Sequence, residues 1–271
     1  MGADTKKLRI RIKSVDSSLH LTKAMGLVAS SKIRRANEEM FKTKEFLNAL
    51  ETMVKELVLA PECSKSPYLR SAVTDINSDR TRLIVIAGDR GLAGGYNANI
   101  FRLLREYDKC SIIPLGRRIC DRTDSDFVSS ETFSYRDARE LTDELCKGFV
   151  NEEFDRLGIV CTRYVNMMTQ IAEVRWILPL TRDTEAHKTG MIFEPDEPTV
   201  LNHAVPEYVT GAITEAVRES FASEVAARRM AMDSAEKNAQ AMIDDLELQY
   251  NRARQSAITQ EITEIVAGSG K

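Results

Sequence analysis

From Thr5 to about Leu59 the chain contains no proline, and its only glycine is Gly26. Across this stretch Leu8, Ile12, Val15 and Leu19, then Met25 and Val28, then Met40, Leu47, Leu50, Val54 and Leu57 recur at helical steps. A helix of about 50 residues is roughly 75 Å long at about 1.5 Å per residue. That is longer than one globular domain usually encloses, and it predicts a coiled coil or a protruding shaft.

The far end mirrors the first. Pro206 suits the first turn of a helix, and from there to about Val266 the only glycine is Gly211. Ala235, Ala239, Met242, Leu246, Ala253 and Ala257 follow a nearly heptad path, with Tyr250 beside it. Small seam residues let two helices approach closely, so the expected product is a slim rod with a weak seam. Base is concentrated in the first fifty or so residues (Lys6, Lys7, Arg9, Arg11, Lys13 and onward), whereas Asp244, Asp245, Glu247, Glu261 and Glu264 make the other end mildly acidic. Such opposite charge favours contact between the ends, or suits a basic arm to an acidic partner.

Between the ends the pattern changes. The runs LIVIA (83–87), SIIPL (111–115), LGIVCTRYV (157–165) and VRWILPL (174–180) read as strands, with helical stretches NANIFRLLREY and ARELTDELCKGFVNEEF among them. Alternation of this kind predicts a mostly parallel sheet flanked by helices, inserted between the two long terminal helices. The segment 193–206, rich in proline and aspartate, reads as the linker back into the second helix.

With 271 residues, 43% of them hydrophobic, the chain can bury a substantial core in one or two domains. A net charge of −3 makes no global demand for nucleic acid. The cysteines Cys63, Cys110, Cys120, Cys146 and Cys161 form no CxxC pair and no zinc spacing, which predicts free thiols in a reducing setting. No signal-peptide pattern opens the chain, and no run of about 18 apolar residues predicts a membrane span.

Several stretches invite a chemical reading. GDRGLAGG (88–95) follows a strand, as a phosphate-binding loop does. A Walker A loop, however, needs a lysine followed by a hydroxyl residue, and Tyr96 and Asn97 stand after Gly94 and Gly95. The glycines also miss the G-x-G-x-x-G spacing. An anion held by Arg90 and the loop amides, a tight strand-to-helix turn, and a loop shaped for a protein partner all remain open readings. The basic cluster SSKIRRA (30–36) lacks interleaved aromatics, so a solvated face or docking onto an acidic partner is favoured over nucleic acid. His20, His187 and His203 are scattered without metal-ligand spacing. No catalytic constellation is visible, and the residues alone predict a mechanical or interaction protein. The rival classes are a nucleotide-dependent enzyme built on the glycine loop and a generic coiled-coil scaffold.

Three separated motifs then carry a resemblance. RIKSVDSSLHLTKAMGLVASSKIRRA (11–36), GDRGLAGGYN (88–97) and the run from Glu219 to Gly268 are similar to the gamma subunit of F-type ATP synthases, in the same order along the chain. The resemblance implies an α/β fold class: a long antiparallel coiled coil of the N- and C-terminal helices, with an inserted Rossmann-like, mostly parallel α/β domain. The implied segments are 1–60, 61–205 and 206–271. It implies a central-stalk rotor that couples ion flow to ATP synthesis at the beta subunits, with no catalytic, cofactor or metal site of its own. The implied partners are the hexamer of alpha and beta subunits, the epsilon subunit and the c-subunit ring, with no nucleic acid and no direct membrane span. The implied location is the cytoplasmic face of the bacterial cell membrane, as a peripheral protein.

Position by position, Met25 falls where the family's shaft meets the acidic beta catch loop, followed by Lys32, Arg34 and Arg35. Arg254, Gln255, Thr259 and Glu261 correspond to coupling residues of the upper shaft. Arg90, Gly91 and Gly94 belong to a loop that contacts a beta subunit. One departure is Gly26, placed where relatives carry better helix formers. It costs about 1 kcal/mol of local helix stability unless close packing requires it.

Overall fold

The computed structural model describes residues 3–71, 75–182 and 190–268. It divides into two compact units, one made of residues 1–30 with 228–271 and the other of residues 31–227.

The two long helices are α1 (Ala3–Leu59) and α5 (Glu197–Gly268). In the first unit the buried and half-buried positions of α1 include Thr5, Leu8, Ile12, Val15, Leu19, Thr22, Gly26 and Ala29, alternating steps of three and four. On α5 the same alternation runs through Met232, Glu236, Ala239, Ile243, Leu246, Tyr250, Ala253 and Ala257. This corrects two positions expected on the seam. Met242 is 46% exposed and Ile243 takes its place at 8%, while Val28 is 55% exposed. A strict three-four alternation keeps one stripe facing its neighbour, and 28 and 242 each fall one residue off that stripe. Packing is close at Gly26, where an added Cβ would stand 3.5 Å from the Met232 Cβ and 2.7 Å from Nη1 of Arg229. Lys23 and Glu236 form the nearby ion pair at 3.9 Å.

The second unit is built on a four-stranded sheet of β1 (Thr81–Ile86), β2 (Ser111–Leu115), β3 (Arg156–Tyr164) and β4 (Gln170–Leu178), in the order β2-β1-β3-β4. β1 runs parallel to β2 and β3, and β4 is antiparallel to β3. Helices α2 (Tyr96–Leu104), α3 (Arg117–Thr123) and α4 (Tyr135–Val150) supply the connections. The antiparallel edge follows from chain length. Only residues 165–169 join β3 to β4, too few for a crossover helix, and they close as a tight turn in which Val165 N donates to the Thr169 carbonyl at 3.2 Å.

Helices cover both faces of the central strand, so β1 is apolar on both sides. Ile84 and Ile86 enter a core with Val54 and Leu57 of α1, Phe149 of α4 and Val209 and Ile213 of α5. Leu83 and Val85 enter a second core with Tyr96 and Ile100 of α2 and Ile119 of α3. Helix α4 starts at a capping box: Asp137 N donates to Ser134 Oγ at 3.3 Å, and Ser134 N donates to Asp137 Oδ2 at 2.8 Å.

The expected start of the last helix is corrected. α5 begins at Glu197, and Pro206 lies inside it. Asp196 is the reason: its side chain accepts from Thr199 N at 2.8 Å and its carbonyl from Val200 N at 3.1 Å. This cap puts Pro198, not Pro206, in the first turn, where a missing N–H costs little. The core then holds the turn around Pro206, since Leu201, Val205 and Val209 are fully buried. Among the described residues, no helix is long and apolar enough to cross a membrane.

Candidate partner interface

The glycine loop leaves β1 and enters α2 at Gly95. Ala87 N donates to the Leu115 carbonyl at 2.8 Å, and Gly88 N donates to Asn97 Oδ1 at 2.9 Å. The residue that organises the loop is Asp89, which sequence reasoning passed over. Its carboxylate accepts from Ser129 Oγ at 2.6 Å and from the amides of Arg117, Ser130 and Glu131, each at 3.1 Å. Burial pushes the Asp89 pKa up, but these hydrogen bonds outweigh it and hold the carboxyl below its ordinary value. Glu224 of α5, almost wholly buried, sets a second carboxylate against the loop, 2.9 Å from where a Cβ on Gly88 would stand. The Asp89 carboxylate is held by donors from 117 and 129–131, and a phosphate entering the loop would meet two like charges, Asp89 and Glu224.

The turn itself is tight. At Gly116, with φ +99°, a Cβ would fall 1.9 Å from the Ala87 carbonyl oxygen. Gly94 has φ +56°, and a Cβ on Gly91 would stand 2.6 Å from Arg118 Nη2. Leu92 also holds a left-handed φ of +60°, and its side chain is 64% exposed. A bulky apolar residue in that conformation carries local strain. It projects from the same loop as Arg90, a candidate contact that the glycine pattern did not reveal.

The structure brings two predicted groups together. Lys32 of α1 pairs with Glu131 Oε1, and Arg90 of the glycine loop stands 3.8 Å from Glu131 Oε2. Arg34 and Arg35 project outward from α1, Arg35 Nε donating to Glu39 Oε1 at 3.0 Å and Arg34 standing 3.9 Å from Glu38. Exposed pairs one helical turn apart contribute only a few tenths of a kcal/mol. The guanidiniums therefore stay available to an outside acid.

In the other unit, Met25 is half-buried next to the seam, while Arg254, Gln255 and Thr259 lie exposed on one stretch of α5. Thr259 Oγ1 donates back to the Gln255 carbonyl at 3.0 Å, a local bond within the helix. The Glu261 side chain lies outside the described residues, as does His187. His20 is exposed beside Asp16 at 3.7 Å, and His203 is exposed. No group of three or more potential metal ligands exists among the described residues. All five cysteines are buried and free.

A polar face on α5 was also missed. Glu215, Glu219, Ser220 and Ser223 are buried against β3 and β4. Arg175 of β4 binds Glu215 Oε2 at 2.6 Å and also pairs with Glu219, whose other oxygen accepts from Tyr164 N at 3.1 Å. Ser220 Oγ accepts from Thr162 N at 3.1 Å, and Ser223 Oγ donates to the Thr162 carbonyl at 3.1 Å. Burial raises the Glu215 pKa above its ordinary value despite Arg175. The only sequence signal was an arginine in the middle of the strand run VRWIL.

A family model described as ATP synthase matches residues 4–270. The ATP synthase gamma chain of Alkaliphilus metalliredigens is 36% identical, over 99% of each chain. The relative from Acetobacterium woodii named "ATP synthase gamma chain, sodium ion specific" is 35% identical, again over 99% of each. Among solved structures, a chain of the Euglena gracilis mitochondrial ATP synthase, in its OSCP/F1/c-ring assembly, matches with a TM-score of 0.71 at 19% identity, covering 99% of this chain and 94% of that one. A chain of the rotor of the same enzyme matches with a TM-score of 0.67 at 18% identity, covering 95% and 100%. The chain belongs to the ATP synthase gamma chain family: it is the central-stalk rotor subunit, a part of the complex that holds no catalytic site of its own.

Proposed function

We propose that the paired segments of α1 and α5 form an antiparallel coiled coil that turns inside a hexamer of alpha and beta subunits. The Rossmann-like sheet unit meets the epsilon subunit and the c-subunit ring. The working segments are 1–60, 61–205 and 206–271, and the protein sits peripherally on the cytoplasmic face of the bacterial cell membrane. Met25, Lys32, Arg34 and Arg35 meet an acidic catch loop of a beta subunit. Arg90, Gly91 and Gly94, with Leu92 between them, form a second beta contact. Arg254, Gln255, Thr259 and Glu261 transmit torque from the upper shaft.

The observation that carries this reading is the seam. Gly26, Ala29, Ala239, Ala253 and Ala257 keep two helices close, as a rod that must turn in a narrow bore requires. The exposed guanidiniums of Arg34 and Arg35 suit an acidic loop, and the self-satisfied Asp89 loop suits a protein contact better than a nucleotide.

The experiment mixes this chain with the alpha and beta subunits of its own organism and follows ATP hydrolysis. Turnover is expected mainly in the three-part mixture, and it should fall when α5 is cut before Arg254. Hydrolysis by the chain alone, or failure of the mixture to assemble, would overturn the proposal.

A further inference from the structure

Beyond β4, residues 179–182 fold against the short helical turns Pro61–Lys65 and Pro67–Leu69. Leu180 N donates to the Tyr68 carbonyl at 2.8 Å and ties the two walls together. Between them and the start of β3 lies a cavity of about 480 Å³, lined by Arg70, Arg156 and Arg182 and by the hydroxyl residues Ser64, Ser71 and Thr181. The rest of the described lining is apolar, and no carboxylate lines it among the described residues.

Three guanidiniums around one cavity need an answering charge. Several other guanidiniums of this unit have one: Arg80 is matched by Asp155, Arg82 by Glu153 and Arg139 by Glu207. Arg70 is partly engaged. It lies over the Phe149 ring at 4.3 Å, donates to the Phe154 carbonyl at 2.6 Å and stands 3.6 Å from Glu152 and 3.9 Å from Asp155, so the unanswered charge rests on the other two. The side chains of Arg156 and Arg182 make no hydrogen bond or ion pair among the described residues, and Arg156 Nε is buried without an acceptor. A buried donor left in that state carries an uncompensated desolvation cost.

The missing acceptor must present several oxygens in three dimensions to planar forks and short hydroxyls. A carboxylate offers two oxygens in one plane, whereas a phosphate offers three or more around a tetrahedron and accepts guanidinium forks bidentately. Among the described residues, no aromatic ring lines the cavity to stack a nucleobase. We infer that this cavity is a binding site for a phosphate-bearing anion, supplied either as a free small ion or as the headgroup of an anionic phospholipid. The inference uses none of the residues assigned to the rotor contacts, so it stands or falls separately from them.

The test uses the full chain. Inorganic phosphate and pyrophosphate are titrated calorimetrically at constant ionic strength. In parallel, the protein is co-sedimented with vesicles of phosphatidylcholine alone or with added phosphatidylglycerol. Arg182→Gln removes an exposed, unpaired guanidinium and leaves the fold intact, which far-UV circular dichroism checks. Arg156→Gln removes the buried one, and Arg136→Gln, on the exposed face of α4, is the control. Saturable binding of phosphate or pyrophosphate, weakened about tenfold by Arg182→Gln and Arg156→Gln and unchanged by Arg136→Gln, supports a free-ion site. The same pattern seen only with phosphatidylglycerol vesicles supports the headgroup. Binding to neither probe, equal loss in Arg136→Gln, or no loss in Arg182→Gln overturns the inference.

Discussion

The two units of this chain hold themselves together in opposite ways. In the unit of residues 31–227, β1 is sealed on both faces and Phe149, Phe154, Leu157 and Ile159 are almost wholly out of water. In the unit of residues 1–30 with 228–271, burial is a single stripe. Leu19, Ala29, Met232, Ile243 and Leu246 are covered, while Leu21, Leu27, Leu248, Ile258 and Ile262 remain exposed. The sheet unit gains its stability from volume filled in three dimensions. The helical unit gains it from a line of contacts plus helix propensity, and leaves apolar surface for something else to cover. A structural part that must persist and a part that must work inside a partner impose different demands on packing.

The sharpest way to break the comparison is to truncate one buried side chain in each unit. Phe149 stacks 6.1 Å from Tyr68 and meets Phe154 edge-on at 5.6 Å, so Phe149→Ala should cost about 3–5 kcal/mol. Leu246→Ala, at a site with solvent on both flanks, should cost about 2 kcal/mol, the low end for such a change. Urea denaturation followed by circular dichroism measures both, and equal losses would erase the distinction.

Arg175→Met comes next. It strands Glu215 and Glu219 beneath α5 and should cost about 3 kcal/mol or more at neutral pH. Burial raises the Glu215 pKa, so folding shifts this group toward its protonated form relative to the unfolded chain. The stability this group contributes is present below its ordinary pKa and lost as pH rises through the raised value. The deficit of Arg175→Met should therefore shrink on acidification, and thermal midpoints between neutral and acidic pH would show it. A deficit independent of pH would mean that the carboxylates are not the cause.

Asp89→Asn has the opposite pH signature. The Asp89 pKa is lowered, so the stability it contributes is present above its ordinary value and lost as pH falls through the folded value. Replacement should cost about 1–3 kcal/mol at neutral pH and progressively less in acid. The smallest effect is expected at Gly26→Ala. The nearest atom to the new Cβ is the mobile end of Arg229, and the Met232 Cβ at 3.5 Å is in ordinary contact. The gain in helix propensity should prevail, raising the melting midpoint of the helical unit by up to about 1 kcal/mol in free-energy terms. A lower midpoint would show that the seam needs glycine there.

These expectations also mark what could be read from residues alone. The long helices, the strands and the mostly parallel sheet were legible because periodicity reports burial directly. The seam was legible only to within a residue, since Met242 and Ile243 are both apolar and both fit a step from Ala239. The start of α5 was misread because Pro206 looked like a first-turn proline, when Asp196 before Pro198 was the better signal. The buried acids of α5 were not legible at all. Glu215 and Glu219 sit one turn apart, as solvent-facing acids commonly do, and it is the distant Arg175, with the Tyr164 amide at Glu219, that makes their burial tolerable. Asp89 was hidden for a related reason: its four donors come from segments 28 to 42 residues further along the chain.

Asp89 has one more implication. A glycine-rich turn between strand and helix can hold a free anion. Here the ordering anion is part of the polypeptide, the Asp89 carboxylate with its four donors. The loop should keep one shape whether the surrounding nucleotide pool is full or depleted, and a machine that handles ATP elsewhere gains a component deaf to the concentration of its own product.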